Sequence, residues 1–383
     1  MRILFYCFHG GGGGFSNLRL LLSEMARTFP EDELILVGRE GLDYGNLSDK
    51  PNVRFVKVAR THEGEVARLR SGMFGLQQIV RSTRPDVVWS LNLGPYLPVS
   101  VPCVLSVHYP VLVYGREETR LHPKNAFSVA ALRWFFRRSL ACADGVLVQT
   151  ELMADCVRRL KQAPQRIEIV PKAVESEEVV EARPLTEAMM AVLRCGPLST
   201  AFTFLYVSTA IPYKNHKVLA AALQVLASRR IKARLIVTLD ADQVTKLYGG
   251  AAAKLVKEGY LVPVGWVQKE YLRSFYDLSD ACLMPSLIES LSSSHLEAMC
   301  WGKPQICADL AYARDLCEDA AFYVCPKTGE AWAKAIELLM QDAELRRKLV
   351  VAGRARMKEF PPSWRDVAVR VRAFLHDISA LNK

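Results

Sequence analysis

Two carboxylates, Glu289 and Glu297, are separated by seven residues in the stretch PSLIESLSSSHLEAMCWGKP. The apolar run DACLMPS before them is typical of a buried parallel strand, and SHLEAMCWG has the spacing of a helix. The polar turn between them, which includes Ser292, Ser293 and Ser294, leads into the predicted helix N-terminus, where backbone N–H groups and the helix dipole favour phosphate. Glu297, about one turn into that helix, can accept hydrogen bonds from hydroxyl groups. N–H groups that donate hydrogen bonds to a phosphate, beside a carboxylate that accepts them from hydroxyl groups, suit a sugar nucleotide.

Three other places along the chain carry residues that could meet such a ligand. Lys214 stands at a turn between the predicted strand FTFLYVST and a helix, where an ammonium group can neutralise a diphosphate. His108 ends the predicted strand CVLSVHY, at a carboxyl end where side chains often face ligands. Five consecutive glycines, which include Gly12 and Gly13, follow the first strand and let the backbone approach a ligand closely. Each of these places also has an interpretation without a ligand: Lys214 could be a solvated turn lysine, His108 a structural histidine at a strand end, and the glycine run a flexible loop.

These residues belong to an alternation of strands and helices that runs along the chain. Apolar runs such as DVVWSLN, GVLVQT and ARLIVTLD alternate with amphipathic segments, which predicts two doubly wound parallel sheets. Residues 176–200 contain two prolines and show no strand pattern, so we predict an interdomain linker with a short helix there. The expected domains are then residues 1–175 and residues 201–362.

Composition narrows the class of protein further. The sequence has no uninterrupted apolar run long enough for a membrane span, and its N-terminal apolar run lacks a signal-peptide cleavage pattern, so we expect a cytoplasmic protein. Its ten cysteines, without a C-x-x-C, fit buried thiols better than disulfides or a zinc site. The net charge of +10 suits anionic partners, yet no nucleic-acid motif accompanies it.

Two segments leave alternatives open. Asp240 and Asp242 form a D-x-D that could hold a divalent metal, but aspartates before a helix are more simply caps, so no metal site is predicted. The segment AFSVAALRWFFRRSLACAD combines arginines with aromatic residues. It could touch an anionic membrane surface or a lipid diphosphate, although packing on the sheet is the favoured reading.

The stretch PSLIESLSSSHLEAMCWGKPQICAD resembles the E-x7-E signature of the retaining family 4 glycosyltransferases, which have the GT-B fold. Both glutamates, the Pro-Ser, the Leu-Glu-Ala-Met and the Gly-Lys-Pro match that signature. The resemblance extends to PYKN, which is similar to the family's P-x-K-N element, and to PPSWRDVAVRVRAFLHDI, similar to its terminal helix. In GT-B folds that helix, here residues 363–383, crosses back onto the first domain.

The resemblance implies a retaining hexosyltransferase with two Rossmann-like domains that face a central cleft. The donor would be a nucleotide-diphosphate sugar, and neither a cofactor nor a metal would be required. The acceptor would be a saccharide or a polyprenyl-diphosphate-linked saccharide in surface polysaccharide or lipopolysaccharide assembly, with peripheral contact at the inner face of the membrane. The implied catalytic residues are Lys214 on the diphosphate, Glu289 on the donor sugar and His108 on that sugar from the first domain.

The remaining donor contacts are also implied by the family. They are Glu297 on the ribose, the Ser292–Ser294 turn and the Gly12–Gly13 loop near the phosphates, and Gly265, Trp266 and Val267 at the base. The chain departs from the family where Lys172 replaces an Asn and where Ser208, Thr209 and Ala210 occupy positions that commonly include an Arg. The missing Arg, together with serine and leucine where the family has glycine and phenylalanine between the two glutamates, leaves open a catalytically silent sugar-nucleotide-binding subunit. An epimerase or phosphorylase on the same fold is a third possibility.

Overall fold

The computed structural model describes residues 1–7, 13–39, 45–58, 75–115, 126–174 and 181–382. The chain forms two compact units. Of the described residues, the N-terminal unit holds those up to Ala173 together with those from Pro361 onward, and the C-terminal unit holds those from Val174 to Phe360. Each unit is built on its own parallel sheet, which confirms the predicted alternation of strands and helices.

The sheet of the N-terminal unit has seven strands in the order β3-β2-β1-β4-β5-β6-β7, all parallel to their neighbours. The central strands read as continuous apolar runs because a parallel sheet with covered faces buries both sides of each strand. Their bounds are β1 Arg2–Cys7, β2 Glu33–Arg39, β3 Val53–Val58, β4 Val87–Leu91, β5 Cys103–Ser106, β6 Gly145–Val148 and β7 Arg166–Ile169.

The described helices of this unit include the last helix of the chain. Their bounds are α1 Gly13–Thr28, α2 Leu76–Thr83, α3 Ala126–Leu140, α4 Glu151–Arg158 and α14 Trp364–Ser379. Helix α14 packs beside α1, and its buried face, which includes Val367, Val371 and Leu375, joins the core with Trp89. The chain therefore returns to its first unit through the apolar face of its last helix.

The sheet of the C-terminal unit has six parallel strands in the order β10-β9-β8-β11-β12-β13. The strand bounds are β8 Phe202–Tyr206, β9 Ala233–Val237, β10 Leu261–Pro263, β11 Ala281–Met284, β12 Gln305–Ala308 and β13 Phe322–Val324. The helix bounds are α5 Glu187–Arg194, α6 His216–Ser228, α7 Ala241–Tyr248, α8 Ala252–Lys257, α9 Lys269–Asp277, α10 Ser293–Cys300, α11 Ala311–Cys317, α12 Gly329–Gln341 and α13 Ala343–Met357.

Two local differences from the sequence expectations concern candidate site residues. Helix α1 begins at Gly13 instead of near Asn17, so Gly13 belongs to a helix and not to a loop; Gly12 lies outside the described residues. Strand β5 ends at Ser106, which leaves His108 in the connection after it. The stretch expected to link the domains contains helix α5, where a short helix is predicted. Leu193 of α5 is buried, and its backbone oxygen accepts a hydrogen bond from Arg234 of the C-terminal unit.

Two further features agree with the composition. All ten cysteines are free thiols, and half of them are buried. Within the described ranges, every helix is too short or too polar to cross a bilayer.

Candidate active site

The C-terminal unit has its topological switch point between β8 and β11. From β8 the chain proceeds outward through β9 to β10, and it then returns to add β11, β12 and β13 on the other side. Loops that leave the carboxyl ends of two such neighbouring strands diverge and leave a crevice, which is where open parallel sheets bind ligands. The loop after β8 carries Lys214, and the loop after β11 carries Glu289.

Lys214 and Glu289 form an ion pair in this crevice. The ammonium nitrogen of Lys214 donates to Oε1 of Glu289 at 2.5 Å, and the two side chains are only 15% and 13% exposed. Burial by itself lowers the pKa of Lys214, but the charge of Glu289 and the hydrogen bond outweigh it and hold that pKa above its ordinary value. Lys214 is therefore a fixed positive charge at neutral pH.

Backbone and tyrosine hydrogen bonds hold the two loops together. The N–H of Leu287 donates to the backbone oxygen of Tyr213 at 2.8 Å. The hydroxyl of Tyr206, at the end of β8, donates to the backbone oxygen of Lys214 at 2.8 Å and lies 3.0 Å from the hydroxyl of Ser286. Sequence reasoning missed Tyr206; the only available signal was a tyrosine at the carboxyl end of an otherwise apolar strand.

The serine turn leads into helix α10 as the sequence predicts. Ser292 is the N-cap residue with extended backbone angles, and its side chain does not accept a hydrogen bond from the first helical turn. The hydroxyl of Ser294 instead donates to the backbone oxygen of Val207 at 2.8 Å, which ties the helix start to the end of β8. Ser293 is the first residue of α10, so all three serines lie at the helix N-terminus beside the loop that follows β8.

Glu297 lies one turn into α10 and is oriented by a buried tyrosine. The hydroxyl of Tyr276, on helix α9, donates to Oε2 of Glu297 at 3.0 Å and also lies 3.3 Å from the backbone oxygen of Ser294. Burial, followed by the charge of Glu297, raises the pKa of Tyr276 well above its ordinary value, so the phenol keeps its proton and remains a donor. Tyr276 is a second residue that sequence reasoning missed.

The positions where the family commonly has an arginine form a neutral network here. The hydroxyl of Ser208 lies 2.9 Å from Nε2 of His216, and Nδ1 of His216 lies 3.1 Å from the hydroxyl of Tyr248. Burial and the nearby charge of Lys214 lower the pKa of His216 to about 3. Thr238 exchanges two hydrogen bonds with the backbone of Ser208, which fixes this turn. In the described loop after β8, Lys214 is thus the cation that can bind an anion, because His216 is neutral.

The residues expected at the nucleotide base lie at the edge of the sheet. Gly265 follows the edge strand β10, two strands away from β8, and has a positive φ of 74°. Its N–H donates to the backbone oxygen of Leu239 at 2.9 Å, whereas the side chain of Trp266 is 81% exposed. Val267 is buried. These three residues share the carboxyl edge of the sheet with Lys214 without being hydrogen-bonded to the ion pair.

His108 lies in the N-terminal unit. Its backbone N–H and that of Tyr109 both donate to Oδ1 of Asn92, at 2.7 and 2.9 Å, and Asn92 itself has a positive φ of 61°. Burial and the charge of Lys172 lower the pKa of His108 to about 4, so the imidazole is neutral at pH 7. A neutral imidazole both donates and accepts, which suits a sugar hydroxyl.

Two sets of possible metal ligands lie within the described residues. Asp240 caps α7 by accepting from the N–H of Gln243 at 2.8 Å in a full capping box, so this aspartate serves the helix. His295, Cys307 and Cys317 bring ligand atoms within 4.8 Å of one another in the core. Burial raises the pKa of the Cys307 thiol well above its ordinary value, and this thiol donates to Gln305 at 3.5 Å. The cluster therefore belongs to the packed interior.

Comparisons with known proteins show the class of enzyme to which the chain belongs. Residues 196–356 match the family model described as glycosyl transferases group 1, and residues 24–178 match the model described as glycosyltransferase family 4. The chain is therefore a glycosyltransferase, and each of its two halves is similar to one of these families. These matches do not favour the two alternative functions that the sequence left open.

Individual relatives extend the comparison. The chain is 24% identical over 274 residues to the O-antigen chain mannosyltransferase B of Escherichia coli, which covers 71% of this chain and 70% of that protein. It is 28% identical over 222 residues to the 2-deoxystreptamine glucosyltransferase of Streptomyces kanamyceticus, covering 57% and 56% of the two chains.

Solved structures show the fold. Sucrose-phosphate synthase from Thermosynechococcus elongatus superposes with a TM-score of 0.74 at 16% identity, covering 99% of both chains. Anabaena HepE in complex with UDP and glucose superposes with a TM-score of 0.69 at 15% identity, covering 98% of this chain and 100% of that one. The chain has the GT-B fold, and the predicted fold class is confirmed.

Proposed function

We propose that this glycosyltransferase moves a hexose, with retention of configuration, from a nucleotide-diphosphate sugar to a saccharide or lipid-linked saccharide acceptor. The mannosyl- and glucosyltransferase relatives support the hexose, and the UDP complexes of HepE support a uridine donor. The O-antigen relative supports a role in surface polysaccharide or lipopolysaccharide assembly.

The observation that carries this proposal is the Lys214–Glu289 ion pair beside the N-terminus of α10. An ammonium group has three N–H donors, and Glu289 accepts from Lys214, so further donors can bind diphosphate oxygens. The positive charge stabilises the negative charge that develops on the departing diphosphate. The first-turn N–H groups of α10 add the helix dipole to the same task.

Retention follows from electrostatic assistance to the leaving group. A diphosphate that is neutralised by Lys214 and the Ser292–Ser294 turn can depart on the face from which the acceptor attacks, so no carboxylate nucleophile is required. Glu289 would hold a hydroxyl of the donor sugar while it fixes Lys214. The remaining barrier is lowered by holding donor and acceptor in one orientation.

The remaining proposed contacts between protein and donor are assigned from the geometry of each unit. Glu297, oriented by Tyr276, would bind the ribose hydroxyls, and the backbone at Gly265–Val267 would bind the base. In the N-terminal unit, the neutral imidazole of His108 is suited to bind a sugar hydroxyl. Lys214 supplies the positive charge, so the proposal includes no metal or cofactor.

Helix α3 supports a lipid-linked acceptor at a membrane surface. Its Phe127 and Trp134 side chains are 82% and 58% exposed, and Arg137 and Arg138 are exposed on the same helix. Exposed aromatic residues beside arginines favour the interface of an anionic membrane. Sedimentation with phosphatidylglycerol vesicles should fall in a Phe127→Ser, Trp134→Ser variant, and unchanged sedimentation would exclude this contact.

The donor is tested by thermal shift with UDP-, GDP- and dTDP-sugars. A ligand that binds only the folded chain raises the midpoint with concentration, so the true donor should stand out and its effect should weaken in Glu297→Gln. The matched control is Glu270→Gln, an exposed carboxylate on helix α9. The absence of any stabilising sugar nucleotide would contradict the proposed function.

A further inference from the structure

Ser208 is the second residue after strand β8, at the switch point of the sheet in the C-terminal unit. Its N–H donates to Oγ1 of Thr238 at 3.0 Å, and its backbone oxygen accepts from the same hydroxyl at 3.1 Å, so its position is fixed. The preceding residue, Val207, accepts from the hydroxyl of Ser294 at the N-terminus of α10. Ser208 is partly exposed. It therefore lies in a fixed turn beside the helix N-terminus that the proposed function assigns to the diphosphate.

A buried tyrosine determines which nitrogen of His216 carries the proton. Tyr248, the last residue of α7, is buried, and burial raises the pKa of its phenol, so the hydroxyl keeps its hydrogen. A buried O–H group needs an acceptor, and Nδ1 of His216, 3.1 Å away, is the acceptor that the described residues provide. A neutral imidazole carries one proton, which is then on Nε2.

This proton decides what the hydroxyl of Ser208 can do. Nε2 of His216 lies 2.9 Å from Oγ of Ser208, and a protonated Nε2 donates to that oxygen. The backbone oxygen of Thr209 also accepts from the imidazole, which agrees with a proton on the nitrogen that faces this turn. Because a protonated ring nitrogen cannot accept a hydrogen bond, the hydroxyl hydrogen of Ser208 is directed away from His216.

The neighbouring hydroxyl of Tyr206 is already engaged in two hydrogen bonds. It donates its one hydrogen to the backbone oxygen of Lys214, so Ser286 is the donor in the 3.0 Å contact between Ser286 and Tyr206. The phenol oxygen of Tyr206 therefore accepts from Ser286. Ser208, whose hydroxyl also neighbours Tyr206, keeps a hydrogen that can be donated to a ligand in the crevice.

We propose that Ser208 donates its hydroxyl hydrogen to an oxygen of the departing diphosphate, and that His216 and Tyr248 are positioning residues that orient this hydroxyl. The identity of the anion rests on the proposed function. Ser208 is one of the three positions that in the family commonly include an arginine, so a neutral donor here takes part of the place of a cation. The positive charge of the site then comes from Lys214, and Ser208 adds a directed hydrogen bond.

The first test measures the Ser208 hydroxyl itself, in the full chain. Calorimetry gives the affinity for UDP, GDP, dTDP and inorganic diphosphate, and initial rates give kcat and KM for sugar transfer. Ser208→Ala should weaken diphosphate binding by about three- to tenfold, the effect of one neutral hydrogen bond. It should lower kcat more than it raises KM, because the charge on the diphosphate grows as the glycosidic bond breaks. Ser228→Ala, at an exposed serine of α6, is the control and should change neither.

The second test separates orientation of the hydroxyl from support of the fold. Tyr248→Phe removes the phenol that holds the proton on Nε2 of His216, so it should lower kcat and diphosphate affinity in the wild-type background and not in the Ser208→Ala background. Its loss of stability should be the same in both backgrounds. His216→Gln, whose amide N–H can replace Nε2–H, should retain more activity than His216→Leu. If Tyr248→Phe does not fold, Ser208→Ala, a small change at a partly exposed residue, still decides.

Each outcome bears on a stated part of the proposal. An unchanged diphosphate affinity in Ser208→Ala, or a wild-type chain that binds none of the four probes, would overturn it. Equal losses from Tyr248→Phe in both backgrounds would overturn the positioning role. Diphosphate binding that weakens in Ser208→Ala, in a chain that transfers no sugar, would contradict the proposed function and leave the contact with Ser208 standing.

Discussion

The ammonium nitrogen of Lys214 lies 2.5 Å from Oε1 of Glu289, although the two residues are 75 positions apart. They meet because β8 and β11 are neighbours in the sheet and their following loops are cross-linked by Tyr206. The pair places a permanent positive charge at the switch point of the sheet, beside the start of α10. This relationship is the basis of the proposed electrostatic catalysis.

Replacing Lys214 by Met should lower kcat/KM at least 100-fold. The loss of one preorganised donor to a developing oxyanion typically costs about 3 kcal/mol of transition-state stabilisation. The same change leaves Glu289 in a mostly buried position without its cation, so the free energy of unfolding should also fall by about 1–3 kcal/mol. Initial rates and denaturant unfolding measure the two effects separately.

Lys217→Met is the matched control, because Lys217 is exposed on the neighbouring helix α6. The double variant Lys214→Met, Glu289→Gln should recover part of the stability without recovering activity. An active Lys214→Met enzyme would refute the role of this lysine.

Tyr276→Phe should raise the KM for the donor with little change in kcat. Without the phenol, Oε2 of Glu297 loses the donor that orients it, so the ribose hydroxyls are bound less well. The loss of one hydrogen bond to a charged group corresponds to about 1.5–3 kcal/mol, or roughly tenfold or more in KM. Tyr271→Phe on the same helix is the control, and equal KM values in both variants would contradict the assignment.

Gly265→Ala should destabilise the protein by about 1–2 kcal/mol through its backbone and not through a clash. Gly265 has a φ of 74°, a region that disfavours a side chain, yet a Cβ there would meet no atom within 4 Å. Gly250→Ala is the matched control, since its Cβ also meets nothing and its φ is not in this region. Denaturant unfolding should show a loss for Gly265→Ala alone; equal stability of the two variants would show that the turn tolerates a side chain.

Stability should fall as the pH decreases from 6.5 to 4. The unfolded chain takes up protons on histidine near pH 6.5, whereas the folded chain holds the pKa of His108 at about 4 and that of His216 at about 3. The unfolded state therefore binds more protons in this window, and each histidine accounts for up to about 3 kcal/mol of the loss.

The pH dependence is measured by urea unfolding at pH 7, 6 and 5. His216→Gln should flatten it, and His376→Gln, at an exposed site on α14, should not. Carboxylates titrate at lower pH in both variants, so the difference between them isolates His216. Parallel pH curves for the two variants would contradict the burial of a neutral His216.

Much of the architecture could be predicted from the chain. Continuous apolar runs such as VVWSL and ACLM specify strands that are buried on both faces, and alternation with helices specifies parallel sheets. The run of serines in the turn, followed by the spacing typical of a helix, predicts that Ser292–Ser294 lie at the start of α10, as they do. These features are local, so the sequence pattern reveals them.

The supporting residues could not be predicted because their roles depend on tertiary contacts. Tyr206 and Tyr276 read as core aromatic residues, and only the fold shows that their hydroxyl groups reach the Lys214 loop and Glu297. The start of α1 at Gly13 was missed because glycine is a poor helix former in isolation.

The most direct measurement is mass spectrometry of an O-antigen-type or lipid-linked saccharide incubated with the enzyme and the donor that stabilises it. The account predicts an acceptor heavier by one hexose, nucleoside diphosphate released in equal amount, and loss of both products in Lys214→Met but not in Lys217→Met. A donor that binds tightly but is never transferred to any acceptor, or equal transfer by Lys214→Met, would contradict it.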